Sequence, residues 1–244
     1  MITANRLHQL WRNLPLGSLD DIVGYGTCLI LAPHPDDESL GCGGLIATCC
    51  AAARPPLVAV LTDGGASHPG SKLYPPPRLA ALREVEAKDA VRLLGLASER
   101  LIFLRQEDGG APREGPAFAK VTQRLTALLQ DAGCTAIVAP WQFDPHCDHE
   151  AAALIAREAA RRTGVRLCEY PVWGWTLSDE TPIDETSVHG WRLDVTRHLP
   201  AKRRAIGAHA SQHGHVIIDD PAGFCLTGEL LQPLETPCET FLLT

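Results

Sequence analysis

No apolar run in this sequence is long enough to cross a membrane. The longest mostly apolar region, residues 43–61, is interrupted by Arg54-Pro55-Pro56, and a span needs about 20 uninterrupted apolar residues. Residues 1–13 lack the apolar heart of a signal peptide, so secretion by that route is not expected. An excess of basic charge is missing too. The 22 Lys and Arg against 29 Asp and Glu leave a net charge of −7 and a pI of about 5.8. Nucleic acids and anionic membrane surfaces attract proteins with a basic face, so neither is an expected partner. The nine cysteines contain no C-x-x-C pair. In a chain without a signal that pattern reads as free thiols in a reducing, cytoplasmic setting. Adjacent Cys49 and Cys50 read as small packing residues. No internal repeat and no low-complexity linker divides the 244 residues, which are read as a single domain with a core at about 28–212.

What is present is an alternation of short apolar runs and helical patterns. Cys28–Ala32, Leu57–Leu61, Leu101–Leu104, Thr135–Ala139 and Val165–Val172 read as strands. A small-residue helix is expected at 45–53, with further helices at 78–94, 118–129, 150–161 and 201–210. An amphipathic lead-in carries Leu7, Leu10, Trp11 and Leu14; beyond Trp173 the pattern weakens, leaving Trp191–Val195 and the apolar run 241–243. Strands separated by helices imply βαβ units, right-handed crossovers and a largely parallel sheet. On helix 78–94, Arg83 and Glu86 share the apolar face of Leu79, Leu82 and Ala90, so two charges point inward and need partners there. A salt bridge between Arg83 and Glu86 is the plainer expectation for this pair.

Two turns carry the chemistry. Pro33-His34-Pro35-Asp36-Asp37-Glu38 follows the first strand, and His146-Cys147-Asp148-His149 follows the fourth after Pro140. Both sit where ligands bind in open α/β sheets, outside the carboxyl ends of strands. His34, Asp37 and His149 would form the two-His, one-carboxylate set of a catalytic zinc site with an open position. Asp36 and His146 would be left for proton transfer. By itself an Asp-Asp pair beside a turn is more often a helix cap; a second His-x-Asp-His turn in the same context favours metal. Trp173 and Trp175 read as core or rim aromatics, His209 as a packed core histidine or a site residue, and His189, His213 and His215 as loop residues.

These residues resemble the zinc-dependent de-N-acetylases of the PIG-L/LmbE-like family, which includes N-acetylglucosaminyl-phosphatidylinositol, mycothiol and bacillithiol pathway deacetylases. The resemblance extends to Leu61-Thr62-Asp63-Gly64, to Arg83-Glu84-Val85-Glu86-Ala87, and to Lys202 through His209-Ala210-Ser211-Gln212. It implies a Rossmann-like three-layer α/β sandwich with a mostly parallel sheet. It implies His34, Asp37 and His149 as metal ligands, and Asp36 as the general base acting on a water the metal activates. His146 would stabilise the oxyanion or protonate the leaving amine, Asp148 would orient His146 or a ligand, and Arg83 would contact substrate. Cys147 stands where proline is usual in that family, and Gly65 where Glu is frequent.

The expectation is therefore a zinc-dependent amidohydrolase acting on a linear amide, the N-acetyl group of a small-molecule sugar or glycoconjugate such as an N-acetylglucosamine derivative. Fe²⁺ suits similar ligands. Loops 64–77, 105–116 and 173–190 should line the mouth; assembly into a homo-oligomer stays open. Two rivals come from other classes. Gly41-x-Gly43-Gly44 hints at a nucleotide-binding Rossmann protein, although Ile46 occupies the place of the third glycine. A metal-binding protein without catalysis would share the ligands but leave Asp36 without a task.

Overall fold

The computed structural model describes residues 1–184 and 188–243. Its strands, in chain order, are β1 (Ile2–Thr3), β2 (Leu16–Gly17), β3 (Thr27–Ala32), β4 (Leu57–Thr62), β5 (Leu101–Gln106), β6 (Cys134–Pro140), β7 (Arg166–Tyr170), β8 (Pro182–Ile183), β9 (Gly190–Asp194) and β10 (Cys238–Leu243). The helices are α1 (Ala4–Arg12), α2 (Leu19–Val23), α3 (Asp37–Ala51), α4 (Pro76–Leu93), α5 (Gly115–Asp131), α6 (Cys147–Thr163), α7 (Leu199–Ala208) and α8 (Gly228–Leu234). Eight strands form one sheet in the order β2-β9-β10-β7-β6-β3-β4-β5, and β1 pairs with β8.

The five strands β7-β6-β3-β4-β5 are parallel. The central strands β3, β4 and β6 are buried on both faces, and for that reason they read as unbroken apolar runs rather than alternating ones, while β5 at the sheet edge is only half-buried. Ile30, Val58, Val60 and Val138 pack with Leu45, Ile46 and Val91 of α3 and α4 in one core. Leu29, Leu31, Ala59 and Ile137 face the other way, onto Leu125 and Leu129 of α5 and Ile155 of α6. The result is the expected three-layer sandwich. Since β3 and β6 are neighbours in parallel register, Leu29 beside Ile137 and Ile30 beside Val138, the turns that follow them leave the same edge of the sheet. That pairing is what brings residues 34–37 near residues 144–149.

Two features depart from the sequence reading. The helix expected at 45–53 begins at Asp37, so Gly41, Gly43 and Gly44 lie inside it rather than in a loop. A Cβ on Gly41 would collide with the Tyr170 ring and one on Gly44 with Val195, while Gly43 lies against Lys202. Close packing outweighs the poor helix propensity of glycine here. The glycine cluster is therefore spent on packing and forms no phosphate-cradling turn, which removes the nucleotide-binding rival. The weakly patterned region past Trp173 supplies the antiparallel part of the sheet. There β10 joins β7 to β9, running antiparallel to both. The amphipathic lead-in becomes α1, capped by the Thr3 side chain, and its Leu7 and Trp11 pack with Leu14 and Trp141 in a third core.

Candidate metal centre

The turn after β3 is held in an unusual shape. Asp36 has φ 153° and ψ −28°, a conformation costing about 1–3 kcal/mol for a residue other than glycine, and it persists only where the surroundings over-determine it. They do so from three sides. The Asp36 N–H donates to Glu38 Oε2 at 3.0 Å, Arg83 Nη2 donates to Asp36 Oδ2 at 3.0 Å, and the same nitrogen donates to the Pro35 carbonyl at 2.8 Å. Arg83 also binds the Gly64 carbonyl at 2.9 Å and is buried. The expected Arg83–Glu86 pair does not form. Glu86 accepts instead from the Ser211 N–H and hydroxyl, while the two Nη atoms of Arg83 are taken by Asp36 and the two carbonyls. Glu38 in turn accepts from His209 Nε2 at 3.0 Å, so His209 is a buried partner of this turn.

The acids of this turn do not cap α3. Asp36, at the N-cap position, makes no side-chain cap hydrogen bond. Asp37 Oδ2 accepts from the His34 N–H at 3.0 Å and lies 3.2 Å from both His34 Nδ1 and His149 Nε2. The far nitrogens of both rings face carboxylates. His34 Nε2 lies 3.0 Å from Asp148 Oδ2 and 3.3 Å from Asp108 Oδ1, and His149 Nδ1 lies 2.7 Å from Asp144 Oδ2. Such partners fix which ring nitrogen carries the proton, leaving His34 Nδ1 and His149 Nε2 free to offer lone pairs. His149 Nε2 is buried without a hydrogen-bond donor of its own to satisfy it.

Ligand atoms of His34, His146 and His149 lie within 4.8 Å of one another, close enough to share a divalent cation. Zinc bonds of about 2.0–2.1 Å to N and O imply about 3.3 Å between neighbouring ligand atoms of a tetrahedron, close to the spacing seen between Asp37 and each ring. Electrostatics agree. Burial alone would lower the His34 and His149 pKa values. The carboxylates of Asp108, Asp148 and Asp37 around His34, and of Asp37 and Asp144 around His149, raise them instead, the latter to about 9. Burial would raise Asp37, but the two imidazoles hold it well below the usual carboxylate range. The pocket thus demands positive charge, which protons supply when no metal does.

His146 and Asp36 complete the floor. His146 is the N-cap of α6, and its Nδ1 accepts from the Asp148 N–H at 3.2 Å. In the neutral ring the proton therefore sits on Nε2. Burial, followed by the charges of His34 and His149, lowers its pKa. Its ring lies 4.6 Å from that of His34 and stacks on Trp173 at 6.3 Å. For Asp36, burial is the largest influence and pushes the carboxyl up to about 6 against the pull of Arg83.

All of this opens onto a cavity of about 370 Å³, lined on one side by His34, Asp36, Asp37, Arg83, Asp108 and His146. Its other wall is apolar, made by Leu40, Val172, Trp173, Phe224 and Leu230. A larger cavity of about 900 Å³ lies apart, around Arg12, Trp175 and Arg192, with none of these acids or imidazoles in its wall. Each loop expected at the mouth contributes: Ala66 and Ser67, Asp108 and Gly109, and Trp173. Residues 185–187 of the third loop lie outside the described residues. Trp175 packs on Trp11 and His8 instead, and His213 binds the Ile206 carbonyl. Asp148 takes His34 as its partner, and gives His146 only its backbone N–H.

Sequence reasoning missed Asp144, Asp108, Phe224 and Leu230. Asp144 was readable, since it belongs to the same turn as His146 and His149. Asp108 was not, being one acid in a glycine-containing loop, and Phe224 and Leu230 sit where the pattern is weakest.

The sequence profile of the GlcNAc-PI de-N-acetylase (PIG-L) family matches residues 29–160, the span that contains both turns. The chain is 28% identical to a 1D-myo-inositol 2-acetamido-2-deoxy-alpha-D-glucopyranoside deacetylase of Nocardia farcinica, over 89% of this chain and 90% of that protein. It is 30% identical to a 2'-N-acetylparomamine deacetylase of Streptomyces fradiae over 55% of this chain, and there it spans about half, 52%, of the relative's length. Among solved structures, the N,N'-diacetylchitobiose deacetylase of Pyrococcus horikoshii shares the fold with a TM-score of 0.67 at 20% identity, covering 98% of this chain and 91% of that one. With more than half of its length matched to the family profile, and both motif turns inside the match, the chain belongs to the GlcNAc-PI de-N-acetylase family.

Proposed function

We propose that this protein is a zinc-dependent hydrolase that removes the acetyl group from an N-acetylated sugar or glycoconjugate. The observation that carries the reading is a single oxygen of Asp37 lying 3.2 Å from ring nitrogens contributed by two turns 115 residues apart (149 − 34). His34, Asp37 and His149 would hold the cation. A bound zinc ion would polarise the amide carbonyl and make a water acidic enough to lose its proton near neutral pH.

The remaining steps belong to the chain itself. Asp36 takes the proton of the attacking water as general base; a carboxyl tuned to about 6 suits that task near neutral pH. Arg83 anchors Asp36 through the 3.0 Å contact and so orients it. His146 presents its Nε2–H to the developing oxyanion or to the departing amine. Asp148 and Asp144 hold the His34 and His149 rings at their far nitrogens. Trp173 and Phe224, with ring centres 5.6 Å apart and planes inclined at 61°, offer an apolar corner to the sugar and exclude water. Fe²⁺ suits the same donors, and metal analysis of the purified protein decides between the two ions.

A carboxylate left over from the proposed ligand set supports catalysis over mere metal storage, since a structural zinc site is normally closed by four protein groups. The test is amine release from N-acetylated amino sugars by wild type and Asp36→Asn, with metal content measured alongside. The variant is expected to keep its metal and lose about 10²–10⁴-fold in kcat. Turnover at the wild-type rate would overturn the base assignment.

A further inference from the structure

Beside the ligand set proposed above, the structure gathers a second set of donors, two of whose residues, His146 and Asp148, serve the reaction through their other atoms. Cys147 is an exposed thiol at the first position of α6. Its Sγ lies 3.7 Å from the Gly109 carbonyl oxygen, 3.9 Å from Asp148 Oδ1 and 4.0 Å from His146 Nδ1. Ligand atoms of His146, Cys147 and Asp148 all fall within 4.8 Å of one another. One sulfur, one imidazole nitrogen and one carboxylate oxygen are thus gathered next to the cavity that His146 and Gly109 line, with the Gly109 carbonyl oxygen beside the sulfur. None of these atoms belongs to the set formed by His34 Nδ1, Asp37 Oδ2 and His149 Nε2.

We propose that His146, Cys147 and Asp148 form a second cation site, selective for thiophilic divalent ions larger than zinc, and that filling it stops hydrolysis. Two physical arguments set the selectivity. A thiolate favours soft cations over hard ones. Spacing then favours size: zinc bonds of about 2.3 Å to sulfur and 2.0–2.1 Å to N or O place neighbouring ligand atoms about 3.5 Å apart. The distances from Sγ run from 3.7 to 4.0 Å, which suits the longer bonds of cadmium. Exposure of Cys147 gives the ion a direct path from solvent.

Binding releases the thiol proton to solvent, and the sulfur lone pair so freed forms the new bond. The His146 Nδ1 lone pair leaves the Asp148 N–H, 3.2 Å away, to take up the same cation. The ring that presents Nε2–H to the substrate is thereby drawn towards the sulfur. Asp148 is engaged at the oxygen opposite the one that steers His34. The inhibitory half of the proposal rests on the functional reading above; the binding half does not.

The experiment titrates the full, zinc-loaded chain with cadmium chloride. Bound cadmium and retained zinc per chain, the ultraviolet thiolate-to-metal charge-transfer band, and amine release are followed together. The expected result is one cadmium beyond the retained zinc, a new band, and at least a tenfold loss of hydrolysis in step with it. Cys147→Ser should lose the extra cadmium and the band, and its hydrolysis should no longer respond to cadmium. Cys225→Ser, which removes another exposed thiol, should behave as wild type. An unchanged band in Cys147→Ser, or no extra cadmium in wild type, overturns the site whether or not any substrate is turned over. Full hydrolysis with the site filled overturns the inhibition.

Discussion

At the scale of single residues, the site is governed by which nitrogen of each imidazole is left free. Asp144 settles this for His149. It is fully buried, and besides His149 Nδ1 it accepts the N–H groups of Val172, Trp173 and Gly174. Its charge is thus held in place by backbone donors from the loop after β7, which ties the ring orientation to the fold. Replacing it with Ala should leave the ring free to turn and lower metal affinity by about 10–100-fold. Competition of the variant against a calibrated chelator checks this, and unchanged affinity would show that His149 needs no such partner. Both turns were legible in the sequence because a histidine beside an acid, straight after a buried strand and a proline, has few structural uses. The acids behind the rings were less legible. An isolated Asp108 looks like any loop acid until the fold sets it 3.3 Å from His34.

Elements explain why the two turns meet. A strand buried on both faces cannot show alternation, so β3, β4 and β6 were read from apolar runs alone, and their adjacency came only with the fold. The start of α3 was misplaced because glycine is a poor helix former and the sequence holds three within four positions, 41–44. What overrides propensity is tertiary: α3 presses against β7, where the Tyr170 hydroxyl donates to the Leu31 carbonyl at 2.9 Å and holds the ring in place. Since α3 starts at Asp37, its seating sets the position of the Asp37 carboxylate. Gly41→Ala should therefore cost about 1–3 kcal/mol through overpacking, read as a lower denaturation midpoint in guanidinium, and should weaken metal binding as well. Full stability in that variant would mean that the ring can give way. Past Trp173 the sequence showed only the segments Trp191–Val195 and 241–243 without their pairing: β9 is mostly half-buried and gives no clean period, and β10, buried between β7 and β9, reads as a short apolar run.

Across the whole molecule, charge is the common thread. An acidic chain of net charge −7 sets Asp36, Asp37 and Asp108 in the wall of one pocket and Asp144 and Asp148 behind its imidazoles, with Arg83 the permanent cation in that wall. Without metal, His34 and His149 take up protons to offset those acids. The sign follows from their raised pKa values. Protonation stabilises the metal-free fold fully below the unfolded value of about 6.5, and for His149 that stabilisation is lost as pH rises through about 9. Chelation should therefore lower Tm only modestly at pH 6 and more at pH 9. Zinc at 1,000 times its Kd should restore about 4 kcal/mol, roughly 10 °C for a chain of this size. Thermal melts with chelator and with added zinc at both pH values check this, and an equal loss at both would contradict the linkage.

The central claim is that one cation is held between the two turns. The most direct measurement is an anomalous-difference map at the zinc edge from crystals of the zinc-loaded, active protein. The account predicts a peak bonded to His34 Nδ1, Asp37 and His149 Nε2. Zinc seated only beside Cys147, or full activity in crystals with no density among those three side chains, would contradict it.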